Sequence, residues 1–228
     1  MANQPKILLV DDEQDILEML EYNLRKEGFL VFTANNGKEG LDKAQVVKPD
    51  LIVLDIMMPE MDGIETCRNL RELYELRNAI IVFLTARSEE YSHIAAFQAG
   101  ADDYITKPVK PGIFVSKVKA LLRRANNAID ELPREVLSAG NFVIDRDRYM
   151  VIKDEQHIYL PRKQFEFIAL LASKPQKVFS REEILSTVWG TDVVVNDRTI
   201  DVHIRKIREK LGEDAIRTIK GVGYKMEL

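Results

Sequence analysis

Four short apolar runs in this chain each end in a residue that can handle a cation or a phosphoryl group. Ile7-Leu8-Leu9-Val10 runs into Asp11-Asp12, and Leu51-Ile52-Val53-Leu54 runs into Asp55. Ile80-Ile81-Val82-Phe83-Leu84 runs into Thr85, and Tyr104-Ile105-Thr106 runs into Lys107. Mg²⁺ is a hard cation that takes oxygen ligands and keeps waters. Asp12 and Asp55 can supply two carboxylates, with Asp11 reaching the ion through a water. Clustered carboxylates repel one another, and a divalent metal resolves that repulsion. The same charge neutralises an incoming phosphoryl group while Asp55 acts as nucleophile. Lys107 suits a phosphate counter-charge, and Thr85 a hydrogen-bond donor to a phosphoryl oxygen. Any one of these residues alone reads as an ordinary turn or cap; turns do not demand the whole set.

The elements that must carry these residues are legible around them. Runs of this length and β-branched content predict buried parallel strands, and ligands of such sheets bind outside the carboxyl ends of the strands. The segments between are amphipathic, with Ile16, Leu17, Leu20 and Leu24 in the first and Leu41 and Ala44 in the second. Asn36-Gly37-Lys38-Glu39 has the form of a capping box. With a strand at Leu30 to Thr33, five βα units follow, predicting an α/β doubly wound five-stranded parallel sheet over residues 1–124. Asn126, Asn127, Asp130, Glu131 and Pro133 interrupt that pattern, so residues 125–136 read as a linker. Short strands at Phe142 to Ile144, Tyr149 to Ile152 and Ile158 to Leu160 then predict an antiparallel sheet. Helices follow at about 162–173, 181–189 and 197–211, the second opened by the capping box Ser180-Arg181-Glu182-Glu183. Residues 217–225 read as a hairpin with glycines at its turn. The second domain, 137–228, is therefore α+β.

The totals narrow the function classes. The chain has 228 residues, 46% hydrophobic and 31% charged, as a globular protein of about two domains has. No run reaches membrane-span length and the N-terminus lacks a signal-peptide pattern, so a cytoplasmic location without membrane contact is expected. The single cysteine, Cys67, excludes an intramolecular disulfide and a cysteine-based metal cluster, and it reads as a small packed residue. The net charge of −4 hides an acidic cluster at Asp11 to Glu21 and a basic one from Arg198 to Lys225.

That basic end has a geometry. At about 100° per residue, Ile200, Ile204, Ile207 and Leu211 form the core stripe of one helix. Arg198, Val202 and Arg205 point away from it, flanked by Thr199 and Lys206. Such a face suits a helix in the major groove, with the basic groups on phosphates or guanine edges and Val202 against a thymine methyl. The helix at 181–189 would cross behind it as in a helix-turn-helix, and Lys220 at the hairpin tip would reach the adjacent minor groove.

These segments carry a resemblance. Asp11-Asp12-Glu13, Leu54-Asp55-Ile56-Met57-Met58-Pro59-Glu60-Met61-Asp62-Gly63, Leu84-Thr85-Ala86 and Gly100-Ala101-Asp102-Asp103-Tyr104-Ile105-Thr106-Lys107-Pro108 make the first 124 residues resemble the receiver domain of a two-component response regulator. Phe165-Glu166-Phe167, Ser180 to Leu185, Val188-Trp189-Gly190, Arg198 to Ile204 and Gly221-Val222-Gly223-Tyr224 make residues 137–228 resemble the winged-helix output domain of the OmpR/PhoB class. The resemblance implies that Asp55 accepts phosphate from a histidine kinase. It implies Mg²⁺ ligation by Asp12, Asp55 and the backbone carbonyl of Met57, with Asp11 outside, and a conformational switch at Thr85 and Tyr104. It implies a cis Lys107-Pro108 bond. It implies DNA contacts by Arg198, Thr199, His203, Arg205, Lys206 and Arg208 with Lys220 in the wing, and a loop from Thr191 to Asn196 facing RNA polymerase. Trp189 is read as a core anchor.

A haloacid-dehalogenase type phosphatase would need a second Asp two residues after the nucleophile, where Met57 stands. A dinucleotide-binding sheet would need a glycine-rich first turn where the carboxylates stand. An enzyme acting on an outside substrate is therefore not expected. The resemblance also implies a homodimer on phosphorylation, through the fourth helix, fifth strand and fifth helix of the receiver. Asp102, Asp103, Lys117 and Lys119 fit its salt bridges. His93 stands where Lys or Arg is usual, and Ile113 and Gln98 where Glu is usual. Exposed bridges contribute only about 0–1 kcal/mol each, and Ile113 beside Phe97 would enlarge an apolar centre, so a dimer less sensitive to salt is expected. Pro161 and Gln164 replace a usual capping Thr and a Glu. The competing class is a phosphate-independent DNA-binding regulator that uses the receiver only to dimerise.

Overall fold

The computed structural model describes residues 4–86, 98–130, 137–146, 148–190 and 198–227, with the backbone alone at residues 86, 124–130, 139 and 198. The chain divides into two compact units, Met1–Asn127 and Ala128–Leu228.

The first unit is a parallel sheet of β1 (Lys6–Val10), β2 (Leu30–Ala34), β3 (Leu51–Asp55), β4 (Ile80–Ala86) and β5 (Asp103–Lys107), in the order β2-β1-β3-β4-β5. Among the described residues its named helices are α1 (Gln14–Lys26), α2 (Gly37–Val47), α3 (Gly63–Glu72) and α4 (Pro111–Asp130). Successive strand residues point to opposite faces. Ile7, Leu9, Val53 and Val82 join one core with Leu17 and Leu20 of α1 and Phe114 and Val118 of α4. Leu8, Val10, Ile52 and Phe83 join the other with Ala44 of α2 and Cys67 and Leu70 of α3. Burial on both faces is why these strands are apolar throughout, and why their polar residues collect at the ends.

The caps hold with one change. Asn36 Oδ1 accepts from the Glu39 N–H at 2.8 Å, but the Glu39 carboxylate accepts from the Asn35 N–H rather than that of Asn36. The Lys107-Pro108 bond is cis. α4 runs on past residue 124 to Asp130, so the first residues of the expected linker are helical. The run from Arg124 to Asp130 holds neither Gly nor Pro, and its Asn residues cost a helix under about 0.7 kcal/mol each, too little to end it.

The second unit opens with an antiparallel sheet of β6 (Leu137–Ala139), β7 (Phe142–Asp145), β8 (Met150–Lys153) and β9 (Gln156–Tyr159). Then come α5 (Arg162–Ser173), α6 (Arg181–Ile184) running into a π turn at Leu185–Trp189, α7 (Arg198–Leu211), and a hairpin of β10 (Ile216–Ile219) and β11 (Gly223–Met226). The strand β6 was not expected from the sequence. Ser180 and Glu183 form the full reciprocal capping box. Trp189 is buried among Phe167, Ile200, Ile204 and Ile207. Among the described residues no helix is long and apolar enough to cross a membrane.

Candidate functional site

Register brings the strand-end residues of the first unit to one edge. Val10 pairs with Leu54, Asp55 with Leu84, and Ala86 with Lys107. Carboxylate oxygens of Asp11, Asp12 and Asp55 lie within 4.8 Å of one another. Asp11 and Asp55 are buried, 1% and 5% exposed, while Asp12 faces solvent. Lys107 Nζ sits 2.7 Å from Asp55 Oδ1, 3.1 Å from Asp11 Oδ2 and 3.0 Å from Glu13 Oε1. The backbone orients both buried acids: the Glu13 N–H donates to Asp11 Oδ1 at 2.9 Å and the Met57 N–H to Asp55 Oδ2 at 2.8 Å. Thr85 is buried on β4, next to the strand that carries Lys107. Tyr104 is half-buried against the α3 side of the core.

Burial raises the pKa of Asp11 and of Asp55, against the opposing pull of Lys107 and the backbone N–H groups. Burial alone would lower that of Lys107, but Asp55, Glu13 and Asp11 together hold it above its ordinary value. The site is thus short of positive charge. Asp11 Oδ2 is at ion-pair distance from Lys107, yet it is buried and accepts no well-aligned hydrogen bond. A carboxylate oxygen in that position, in an all-oxygen donor set, fits a hard divalent cation.

One contact beneath the pocket is unusually close. A Cβ at Gly63 would lie 2.0 Å from the Asp55 carbonyl oxygen, so only glycine lets α3 start against the end of β3. Asp62 caps that helix by accepting from the Glu65 N–H at 2.7 Å.

In the second unit, α7 buries Ile200, Ile204, Ile207 and Leu211 and exposes Arg205, whose side chain is 77% exposed. Lys206 lies beside it, partly exposed, and both pair with Glu209. Val202 is half-buried, and Lys220 is exposed at the hairpin.

Two family models divide the chain between them: "Response regulator receiver domain" matches residues 7–119, and "Transcriptional regulatory protein, C terminal" matches residues 155–226. The alkaline phosphatase synthesis transcriptional regulatory protein PhoP of Bacillus subtilis is 40% identical over 97% of this chain and 96% of its own. The phosphate regulon transcriptional regulatory protein PhoB of Rhizobium meliloti is 40% identical over 98% and 99%. This chain belongs to the OmpR/PhoB family of response regulators. Among solved structures, a RitR mutant superposes with a TM-score of 0.80 at 27% identity, covering 98% of this chain and 99% of its own. DrrB, a Thermotoga maritima OmpR/PhoB homolog, gives 0.51 at 32% identity, covering 99% and 100%.

Several residues of this response regulator stand elsewhere than expected. His203 is not on the outer face of α7. It is 1% exposed, its ring 4.9 Å from that of Trp189, and burial pushes its pKa down to about 3. At about 100° per residue it falls about 60° from Ile200, close enough to the core stripe to be covered. Thr199 is likewise buried, at 4% exposed. Arg208 is a brace: its Nη2 donates to the Ile216 carbonyl at 2.7 Å and to Thr218 Oγ1 at 3.0 Å, tying α7 to β10. The side chain of Arg198, and the loop at 191–196, lie outside the described residues.

Of the residues assigned to the dimer face, His93 and Phe97 also lie outside them, while Gln98 and Ile113 are exposed. Asp102 is not on a surface. It is 2% exposed, 2.7 Å from Arg71 Nη2, and accepts from the Ile81 N–H at 2.8 Å. Asp103 is buried and paired within the chain to Lys117 at 3.0 Å. Lys117 also donates to the Tyr104 carbonyl at 2.5 Å, and Lys119 pairs with Glu27 at 2.5 Å.

Four participants were missed from the sequence. Glu13 shares Lys107, and its only signal was its place after Asp11-Asp12. Arg181, Asp201 and Tyr224 bond one another across three elements. All three lie in segments that carry the family resemblance, but nothing local joins them.

Proposed function

We propose that this response regulator is switched by phosphorylation of Asp55 by a partner histidine kinase, and that the switch delivers a dimer of winged helices to DNA. The observation that carries the reading is the buried Asp55 carboxylate 2.7 Å from Lys107 beside Asp11 and Asp12. Asp55 attacks the phosphorus of a phosphohistidine; the new O–P bond forms as the N–P bond breaks, and the leaving imidazole nitrogen takes up a proton. Burial disfavours the ionised carboxylate, and Lys107 opposes that effect on the nucleophile. Asp12, Asp55 and the Met57 carbonyl, with Asp11 nearby, would hold Mg²⁺, and the ion would supply charge neutralisation for the phosphoryl oxygens. Lys107 then leaves Glu13 and Asp11 to follow those oxygens, and Thr85 donates to one of them.

Thr85 and Tyr104 sit on neighbouring strands, so a shift of one is felt by the other. Lys117 grips both Asp103 and the Tyr104 carbonyl, which couples that shift to the face bearing Ile113. On that face, with His93, Phe97, Gln98 and Lys119, the receivers of two chains pair. Pairing raises the effective concentration of two output domains on neighbouring half-sites. Arg198, Val202, Arg205, Lys206 and Lys220 contact the duplex, Thr199 and Arg208 hold α7 in place, and the loop at 191–196 faces RNA polymerase. The receiver comprises residues 1–124, the linker 125–136 and the output domain 137–228, and the protein works in the cytoplasm. Incubation with a small acyl-phosphate donor and Mg²⁺ tests the core of this reading. An acid-stable, base-labile adduct on the wild type and none on Asp55→Asn is expected; labelling retained by the variant refutes it. Beryllofluoride should raise the dimer fraction in sedimentation. No change there returns the receiver to a phosphate-independent dimerisation module.

A further inference from the structure

The wing and the start of α6 enclose a cleft of about 350 Å³, lined by Arg181, Glu182 and the hairpin from Thr218 to Tyr224. Its floor is fixed by the backbone. Phe179 and Tyr224 exchange hydrogen bonds of 2.8 and 3.0 Å, and a Cβ on Gly223 would lie 1.9 Å from the Phe179 oxygen. At its wall three elements meet on one carboxylate oxygen. Arg181 Nη2 is 2.7 Å from Asp201 Oδ1, and the Tyr224 hydroxyl donates to the same oxygen at 2.9 Å. The guanidinium also bonds the Tyr224 hydroxyl and lies 5.1 Å from the centre of its ring.

The donors in and around this cleft are a guanidinium fork, a phenol and the ammonium of Lys220. That set matches a phosphate diester better than a lone carboxylate. Burial and the neighbouring Asp201 push the Tyr224 phenol up to about 12, so it stays a donor at every working pH. Asp201 lies one helical turn before Arg205, on the same side of α7, and its side chain is 56% exposed. A carboxylate there opposes any polyanion that approaches Arg205, and it holds the donors such a polyanion would use.

We propose that the cleft seats one DNA backbone phosphate and that Asp201 is its internal stand-in, holding Arg181 and Tyr224 in the free protein and yielding them to the phosphate on binding. The inference rests on the DNA-binding reading of α7 and adds two contacts and a restraint to it. Asp201 sets the affinity below what the cations of the cleft would give, because each binding event must displace it.

The test is fluorescence anisotropy of the full chain with a labelled random-sequence duplex across a salt series. Asp201→Asn keeps the shape and an acceptor oxygen but removes the charge, and it should tighten binding about threefold or more. Arg181→Ala should weaken binding and reduce the log–log salt slope by about 0.9, the share of one phosphate contact. In the double variant the gain from Asp201→Asn should vanish. A gain that persists there reflects net charge alone and overturns the proposal, as does an Asp201→Asn protein that binds no tighter. Asp201→Ser serves as second variant should the Asn lower the thermal midpoint. Arg205→Ala with Lys206→Ala separates the two readings. Lost affinity there without a gain from Asp201→Asn overturns only the stand-in. Wild-type affinity there overturns the DNA reading of α7 and the stand-in with it.

Discussion

Gly63→Ala should disable the phosphoryl pocket without touching a chemical group in it. The added Cβ would stand 2.0 Å from the Asp55 carbonyl oxygen, 3.0 Å from its carbon and 3.1 Å from the Ile56 Cα. All three are backbone atoms of the sheet edge, so no side chain can swing aside. Restoring ordinary contact takes a shift of more than about 1 Å, by α3 or by the end of β3. A shift of α3 breaks the hydrogen bond from the Gly63 N–H to the Ile56 carbonyl, now 3.0 Å. A shift of β3 carries Asp55 away from Lys107, now at 2.7 Å. Overpacking of this kind costs about 1–3 kcal/mol, and the lost hydrogen bond about 1 kcal/mol more. For a unit of this size that lowers the thermal midpoint by roughly 4–15 °C. Thermal unfolding by circular dichroism measures the first effect, and labelling by a small acyl phosphate the second. The expected result is a lowered midpoint together with labelling slowed at least tenfold, as a misplacement of about 1 Å costs reactions that depend on alignment. A variant that melts within a degree of wild type and labels at the wild-type rate would refute the reasoning, since the close approach would then not hold Asp55 in place.

Arg71→Ala should be among the most damaging single changes in the receiver. It leaves Asp102 buried and uncompensated, a loss of about 3–5 kcal/mol by chemical denaturation. The folded pKa values of Asp11 and Asp55 are raised by burial, so their favourable share of stability is present at low pH and fades as pH rises past the ordinary 3.8. Mg²⁺ should therefore raise the receiver's melting temperature more at pH 7 than at pH 4.5, and Asp11→Asn should raise it without metal; equal shifts at both pH values would argue against an electrostatic origin. His203 works in the other direction. Its pKa falls from 6.5 to about 3 on folding, so the output unit keeps this contribution above 6.5 and loses it as pH falls towards 3. At pH 5 the loss is roughly 2 kcal/mol, and His203→Phe should remove that acid sensitivity in denaturant titrations. Arg205→Ala with Lys206→Ala should weaken duplex binding and flatten its salt slope by about 1–2.

The pocket was legible because its signal is local. A strand buried on both faces must be apolar to its end, so Asp55 or Lys107 after such a run announces both the edge and the chemistry. What escaped was set by partners distant in sequence. Asp102 and Asp103 are adjacent and chemically alike, and both look like surface acids; both are buried, Asp102 held by Arg71 of α3, 31 residues earlier, and Asp103 by Lys117 of α4. His203 sits at the margin of a helical stripe, where the angle permits either face and the bulk of Trp189 decides. Arg208 has the charge and position of a groove-reading residue, yet the carbonyl of Ile216 takes its fork. The strand β6 has three residues, too few for any period to show. For Asp102, Asp103, His203 and Arg208 the residue type was legible and the partner was not. For a long cationic side chain the partner decides whether the charge faces DNA or holds the fold, and Arg181 is the case in which the same contact does one in the free protein and, by the inference above, the other on the duplex.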